Sequence, residues 1–269
     1  MHRYDANDRA EILVEHLEEQ FIPHPASDSQ TIITHHDEVE RRLREILSAP
    51  IPPLPGDYYV SPVEIVRTIL RLSNQKAPGP DGVPTTAIKQ LPRRAMVAIT
   101  RPFNGISWTG HFPGCWKMGR FIVFPKASKD SRLTSSQRPI TLLSQITKLF
   151  ERIVLRRLHR HLTPRQEQFR FRNEHSTTLQ LTQVLHHMAA EHNRERCTVG
   201  IFLDVEKAFD RVWYFGLLFK LINIQITPAL GRTVAFLEGR NFYVTVEDAT
   251  SDPRPIAPLY HKAVAYRRA

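Results

Sequence analysis

Four prolines fall within six residues at Pro50-Ile51-Pro52-Pro53-Leu54-Pro55. Proline fixes φ and lacks the amide hydrogen, so no helix continues through such a run, and an extended connector is predicted there. The connector divides the 269-residue chain unequally. Residues 1–60 hold 12 acidic and 5 basic side chains, a balance of −7, while the remainder carries +17. A field of that sign on one segment favours a polyanion, nucleic acid most simply, against the alternative of a basic surface kept for solubility.

A composition 41% hydrophobic and 24% charged excludes wholesale disorder. No stretch approaches the ~20 apolar residues of a membrane span. Asp5, Asp8, Arg9 and Glu11 stand where a signal peptide would need an apolar run. Cys115 and Cys197 are the only cysteines, which excludes a disulfide framework and a four-cysteine zinc site. An intracellular protein, cytoplasmic or nuclear, is expected.

Periodicity places several elements. Ile12, Leu13, Leu17 and Phe21 recur at helical spacing among acidic residues, and a second helix is predicted around Glu38–Leu47. Ser61-Pro62-Val63-Glu64 has the form of a helix start, with Glu64 able to reach back to the cap, and Ile65, Val66, Ile69, Leu70 and Leu72 as its apolar face. Lys76-Ala77-Pro78-Gly79-Pro80-Asp81-Gly82 then forms a rigid turn whose Lys76 and amides could meet phosphate. Phe121–Pro125 reads as a short buried strand. Thr141–Leu162 reads as one helix with the stripe Leu149, Phe150, Ile153, Val154, Leu158 and Leu162. On it Lys148, Arg152, Arg156 and Arg160 recur four apart. Such a band is either a solvated face or a set of phosphate contacts; with Arg157, Arg165, Arg170 and Arg172 nearby in sequence, phosphate contact is predicted.

The sharpest local signal is Val199-Gly200-Ile201-Phe202-Leu203-Asp204-Val205-Glu206-Lys207-Ala208-Phe209-Asp210. It reads as a buried strand with Asp204 at its carboxyl end, followed by a helix through Leu221. A carboxylate so placed is either a ligand for a hard cation such as magnesium or the cap of the next helix. The 13 histidines are scattered or adjacent and show no ligand spacing, which disfavours a metal-dependent nuclease.

Several blocks, in order, resemble the reverse transcriptases of non-LTR (LINE-type) retrotransposons, in particular the jockey-like group. They are Lys76–Gly82; Trp116-Lys117 with Phe121–Lys126 and Lys129-Asp130; Gln137-Arg138-Pro139-Ile140 with Leu142-Leu143 and Lys148; Gln168-Phe169-Arg170-Phe171-Arg172 with His175-Ser176-Thr177; and Asp204–Asp210 with Val212-Trp213 and Gly216-Leu217-Leu218. The resemblance runs from about residue 10 to Tyr260. It implies an α+β right-hand polymerase. Residues 1–57 would be an acidic helical segment and linker, 58–198 the fingers region, and 199–269 a partial palm without thumb. It also implies RNA-directed DNA polymerisation by magnesium ions, with an RNA template and a DNA primer as partners. Asp204 would be the first catalytic aspartate and, with the Val205 carbonyl, a metal ligand. Lys126 and Arg138 would hold the incoming triphosphate, Phe209 would stand against the ribose 2′-hydroxyl, and Asp210 would be structural.

The family draws its remaining carboxylates from an aromatic-Ala-Asp-Asp hairpin after a Gly-x-Pro-Gln-Gly-Ser box, and these 269 residues contain neither. Phe236–Val244, Ser251 and Pro255–Ala257 follow the family pattern, but Pro258-Leu259-Tyr260 resemble the far edge of that box. Arg170 stands where the family has glycine, which removes backbone freedom. No polymerase activity is therefore expected of this chain alone, and an uncovered half palm predicts marginal stability or aggregation. The alternative is a nucleic-acid-binding transposon remnant with no enzymatic role.

Overall fold

The computed structural model describes residues 5–22, 29–49, 59–130, 133–172, 174–224 and 239–256. The Pro50–Pro55 run, the Phe236–Glu238 part of the family match and everything from Ala257 onward, including Pro258-Leu259-Tyr260, lie outside them. The chain divides into a larger unit, residues 1–158 with 207–269, and a smaller one, residues 159–206.

In the larger unit, α1 (Ala6–Gln20) starts where the Asp5 carboxylate accepts from the Asn7 amide, satisfying one of the unpaired amides of the first turn. Its stripe Leu13, Val14 and Leu17 packs on Phe121, Phe242 and Val244, with Phe21 against the rings of Phe121 and Phe242. Those rings stand on a mixed sheet made of β1 (Met118–Pro125), β2 (Gln137–Leu142), β3 (Asn241–Val246), β4 (Ala249–Thr250) and β5 (Arg254–Pro255). The order is β2-β1-β3-β4, with β5 also on β3. β1 is antiparallel to β2 and parallel to β3, in the register Met118↔Asn241 to Ile122↔Thr245. One face of the sheet thus covers α1. Polar ties fix the seam: Arg9 pairs with Glu247 at 2.7 Å, and Glu11 accepts from the Asp252 amide at 2.7 Å.

A second core joins α3 (Pro62–Leu70), α4 (Thr85–Lys89), α5 (Arg93–Ala98), α6 (Thr100–Thr109) and α7 (Gln145–Leu158). Phe103 and Phe112 meet Phe150 edge-on, with ring centroids 5.0 and 5.1 Å away, an arrangement favoured by the ring quadrupole. Ser61 caps α3 as expected, accepting from the Glu64 amide at 3.2 Å. The Glu64 carboxylate does not reach back. It pairs instead with Arg157 at 3.0 Å, a partly buried bond that ties α3 to α7. Leu70, expected in the apolar face, is 60% exposed, and Thr68 is buried in the face in its stead.

The helix predicted over Thr141–Leu162 is shorter at both ends. Thr141 and Leu142 belong to β2, held by pairing with Phe121 and Arg120. α7 ends at Leu158, so Arg160 and Leu162 lie beyond it in the smaller unit. Among the described residues the larger unit also holds α2 (Gln30–Ser48) and α9 (Tyr214–Asn223), which pack together through His36 stacked on Trp213, centroids 3.8 Å apart. The helix expected from Glu206 is a turn over 206–211 with Lys207 at φ 52°, and α9 begins only at Tyr214. The Asp210 carboxylate accepts from Gln20 at 2.6 Å, tying the turn to α1.

The smaller unit consists of α8 (Thr177–His192), capped by Ser176, and its flanking loops. Here the predicted buried strand fails. Val199–Leu203 has no strand conformation, and Phe202 and Leu203 are 96% and 90% exposed. A strand is stabilised by ladder pairing and by a covered face, and this unit supplies neither. Arg172 donates to the carbonyls of Arg165 and Gln168 and so closes the loop before α8. Phe171 and Glu174 have positive φ in that loop, at 59° and 65°, and Arg170 does not.

Candidate nucleic-acid interface

The β1–β2 hairpin juxtaposes two of the expected nucleotide-binding residues. Arg138 lies opposite Phe124, and the ladder continues to Lys126, whose amide donates to the Ser136 carbonyl at 2.8 Å. Lys126 is therefore two residues along the strand from the partner of Arg138. Residues two apart share a face of a strand, so both cations belong to one face at the hairpin's end. The Lys126 ammonium donates to the Ser135 carbonyl at 2.8 Å, and Arg138 is exposed.

The turn Lys76–Gly82 is bound to the start of α7. Gly79 approaches so closely that a Cβ there would lie 2.4 Å from the Leu143 carbonyl carbon and the Ser144 nitrogen; only glycine fits. Gly82 closes the turn at φ 66°, its amide donating to the Gly79 carbonyl at 3.1 Å. The Ser144 hydroxyl donates to Asp81 at 2.6 Å, and the buried Gln145 amide donates to the Ala77 carbonyl at 2.9 Å. Between turn and helix lies a cavity of about 280 Å³, lined among others by Lys76, Lys148, Arg152, Thr85, Leu72 and Ile140. Burial pulls the Lys148 ammonium below the usual lysine range. Lys76 and Arg152 push the same way, and Glu151 and Asp81 oppose them.

The four basic residues expected on one stripe thus part company. Lys148 and Arg152 line the cavity; Arg156 turns inward, 3.5 Å from the Thr68 hydroxyl; Arg160 follows the helix in the smaller unit. Asp204 and Val205 also belong to the smaller unit, exposed in irregular backbone. Phe209 sits exposed in turn residues 207–211 of the larger one. Sequence reasoning passed over Thr85, whose hydroxyl is buried with no hydrogen-bond partner, and a lone threonine gives no signal of that kind.

Among the described residues no group of three or more His, Cys, Asp or Glu could hold a metal ion, and no helix is long and apolar enough to cross a membrane. Reverse transcriptases use divalent metal ions as a family. A pair of dications needs several anionic ligands to bind and to offset their mutual repulsion. Asp204 alone does not fit such a pair.

Residues 124–254 match the family model for reverse transcriptase (RNA-dependent DNA polymerase). Over 93% of its length the chain is 35% identical to the probable RNA-directed DNA polymerase from transposon X-element of Drosophila melanogaster. It is 34% identical over 92% to the corresponding protein from transposon BS, and 32% over 93% to the RNA-directed DNA polymerase from mobile element jockey, both of that fly. It spans about 27% of the length of each. The match includes Lys126 and Arg138, and the chain belongs to the reverse transcriptases of non-LTR retrotransposons.

Proposed function

We propose that residues 58–198 are the fingers of a right-hand polymerase, that residues from 199 onward open its palm, and that residues 1–57 are an acidic helical segment with its linker. The partners in this reading are an RNA template, a DNA primer and an incoming nucleotide. Arg138 offers a planar fork to phosphate and Lys126 a point charge, a division of labour suited to a triphosphate. Phe209 stands against the ribose 2′-hydroxyl, while Lys148 and Arg152 meet the strand backbone. Arg156, drawn toward Thr68, and Arg160 contribute less directly. The observation that carries this reading is the shared hairpin face of Lys126 and Arg138.

Asp204 and the Val205 carbonyl would be the first ligands of a magnesium centre. Two-metal nucleotidyl transfer clamps the attacking and leaving oxygens between ions about 4 Å apart, and the 269 residues contain no Asp-Asp pair to complete that clamp. By itself, then, this chain holds strand and nucleotide without joining them. The exposed, irregular setting of Asp204 also favours a second reading, nucleic-acid binding with no enzymatic role.

The test is fluorescence anisotropy with a labelled RNA template annealed to a DNA primer. Binding that weakens linearly in log affinity against log salt is expected. Absence of binding at low salt contradicts both readings. Photocrosslinking of a nucleoside triphosphate, lost in Lys126→Ala and Arg138→Ala, separates the polymerase-derived site from strand binding alone.

A further inference from the structure

We propose that the cavity between the Lys76–Gly82 turn and α7 is a site for one phosphodiester of a nucleic-acid strand, held by Lys76, Lys148, Arg152 and the Thr85 hydroxyl. This rests on the nucleic-acid reading and goes beyond it, because it makes three cations converge on a single phosphate rather than trace a stripe along a helix.

The charge balance is the first argument. No ion pair to Lys76, Lys148 or Arg152 occurs among the described residues. The neighbouring carboxylates are engaged elsewhere: Glu151 pairs with Arg240 at 2.9 Å, and Asp81 accepts from the Ser144 hydroxyl and the Val83 amide. Cations gathered around one hollow repel each other, and an anion seated among them relieves the repulsion.

Thr85 is the second. It is 99% buried, lines the cavity and has a hydroxyl without a hydrogen-bond partner. An unsatisfied buried hydroxyl costs free energy that an anionic acceptor oxygen would recover. Size and lining favour a strand. At about 280 Å³ the cavity falls below the range of roughly 300–1,000 Å³ that encloses a drug-sized ligand, so it admits a phosphate and part of a sugar but not a whole nucleoside triphosphate. Leu72, Ala77, Ile140 and Leu142 give the sugar an apolar wall. The Gly79 contact and the Asp81–Ser144 bond hold the two sides in register before any ligand arrives.

The experiment measures binding of labelled single-stranded RNA across a salt series, with urea unfolding of each variant to confirm the fold. The triple variant Lys76→Gln, Lys148→Met, Arg152→Gln is compared with Arg93→Gln, Arg94→Gln, Arg101→Gln, an equal charge loss from exposed positions on α5 and α6. Convergence on one phosphate predicts that the cavity triple weakens binding about tenfold or more and lowers the log–log salt slope by only about 0.7, one single-strand phosphate. The control triple leaves the affinity within about twofold. Thr85→Val weakens binding several-fold at unchanged slope, since it removes a hydrogen bond and no charge.

A slope reduced by about 2, three separate phosphates, overturns the proposal. So does a cavity triple indistinguishable from the control. Displacement of RNA by a nucleoside triphosphate or inorganic phosphate from the parent chain but not from the cavity triple also overturns it, by making this a free-phosphate or nucleotide pocket. If the parent chain binds RNA while all variants are silent, the cavity falls and the nucleic-acid reading stands; if the parent binds no RNA, both fall.

Discussion

Asp81 accepts a 2.6 Å hydrogen bond from the Ser144 hydroxyl, across 63 residues of sequence. The bond joins a glycine- and proline-rich turn to the first turn of α7, and with it brings Lys76 to the cavity that Lys148 and Arg152 line. Ser144 also accepts from the Ile146 amide at 3.3 Å, so one side chain both starts the helix and anchors the turn.

Ser144→Ala is expected to destabilise the larger unit by about 1–2 kcal/mol, because it removes the buried donor of a hydrogen bond to a carboxylate. In a double-mutant cycle with Asp81→Asn, urea unfolding should give a coupling of about 0.5–3 kcal/mol. Additive single effects would mean that the two side chains act independently.

Gly79→Ala places a methyl group 2.4 Å from backbone atoms of Leu143 and Ser144. Backbone cannot swing aside as a side-chain tip can, so a loss of about 1–3 kcal/mol is expected, as for an overpacked core. Gly114→Ala is the comparison, since a Cβ there meets nothing within 4 Å. Equal unfolding midpoints for the two variants would contradict the close approach.

The stack of His36 on Trp213 predicts a pH dependence. Burial holds the His36 imidazole below its usual range, His35 adds to this, and Asp37 opposes it. His16 on α1 is lowered as well, by burial and then by Lys207 and Lys126, against Glu19. The folded state therefore binds fewer protons than the unfolded state. The stabilising contribution is fully present above the ordinary histidine value of about 6.5, and is lost as pH falls through the lowered folded values. His36→Phe keeps a ring against Trp213 and removes the titration, so its stability should fall less between neutral and mildly acidic pH. A profile unchanged by that substitution would contradict the assignment.

Ile201→Ser with Leu203→Ser tests the exposed run before Asp204. Both side chains face solvent, so the unfolding free energy should change by no more than about 0.5 kcal/mol. Self-association in sedimentation velocity should fall, because an exposed apolar patch is removed. A loss of about 2 kcal/mol or more would instead mark the run as core.

Where local chemistry decides an element, the sequence was readable: the Ser61 cap and the apolar stripe Leu149, Phe150, Ile153 and Val154 stand as expected. The strand over Phe121–Pro125 forms, although only Phe121 of it is buried and Phe124 and Pro125 are exposed. Distant partners made the rest illegible. Thr141 and Leu142 have the pattern to extend a helix, yet pairing with β1 draws them into β2. Val199–Leu203 has the composition of a core strand, but composition cannot supply a ladder. Regular spacing put Arg156 beside Arg152, while the Thr68 hydroxyl draws it inward. Nothing local marks Thr85, whose significance depends on cations 9 residues before it and 63 and 67 after it in the chain.

Primer extension on an RNA template, with magnesium or manganese, tests the central claim most directly. The 269-residue chain should bind the annealed template and primer yet incorporate no more labelled nucleotide than its Asp204→Ala variant. Incorporation clearly above that variant would contradict the view that Asp204 lacks the carboxylate partners needed to hold two metal ions.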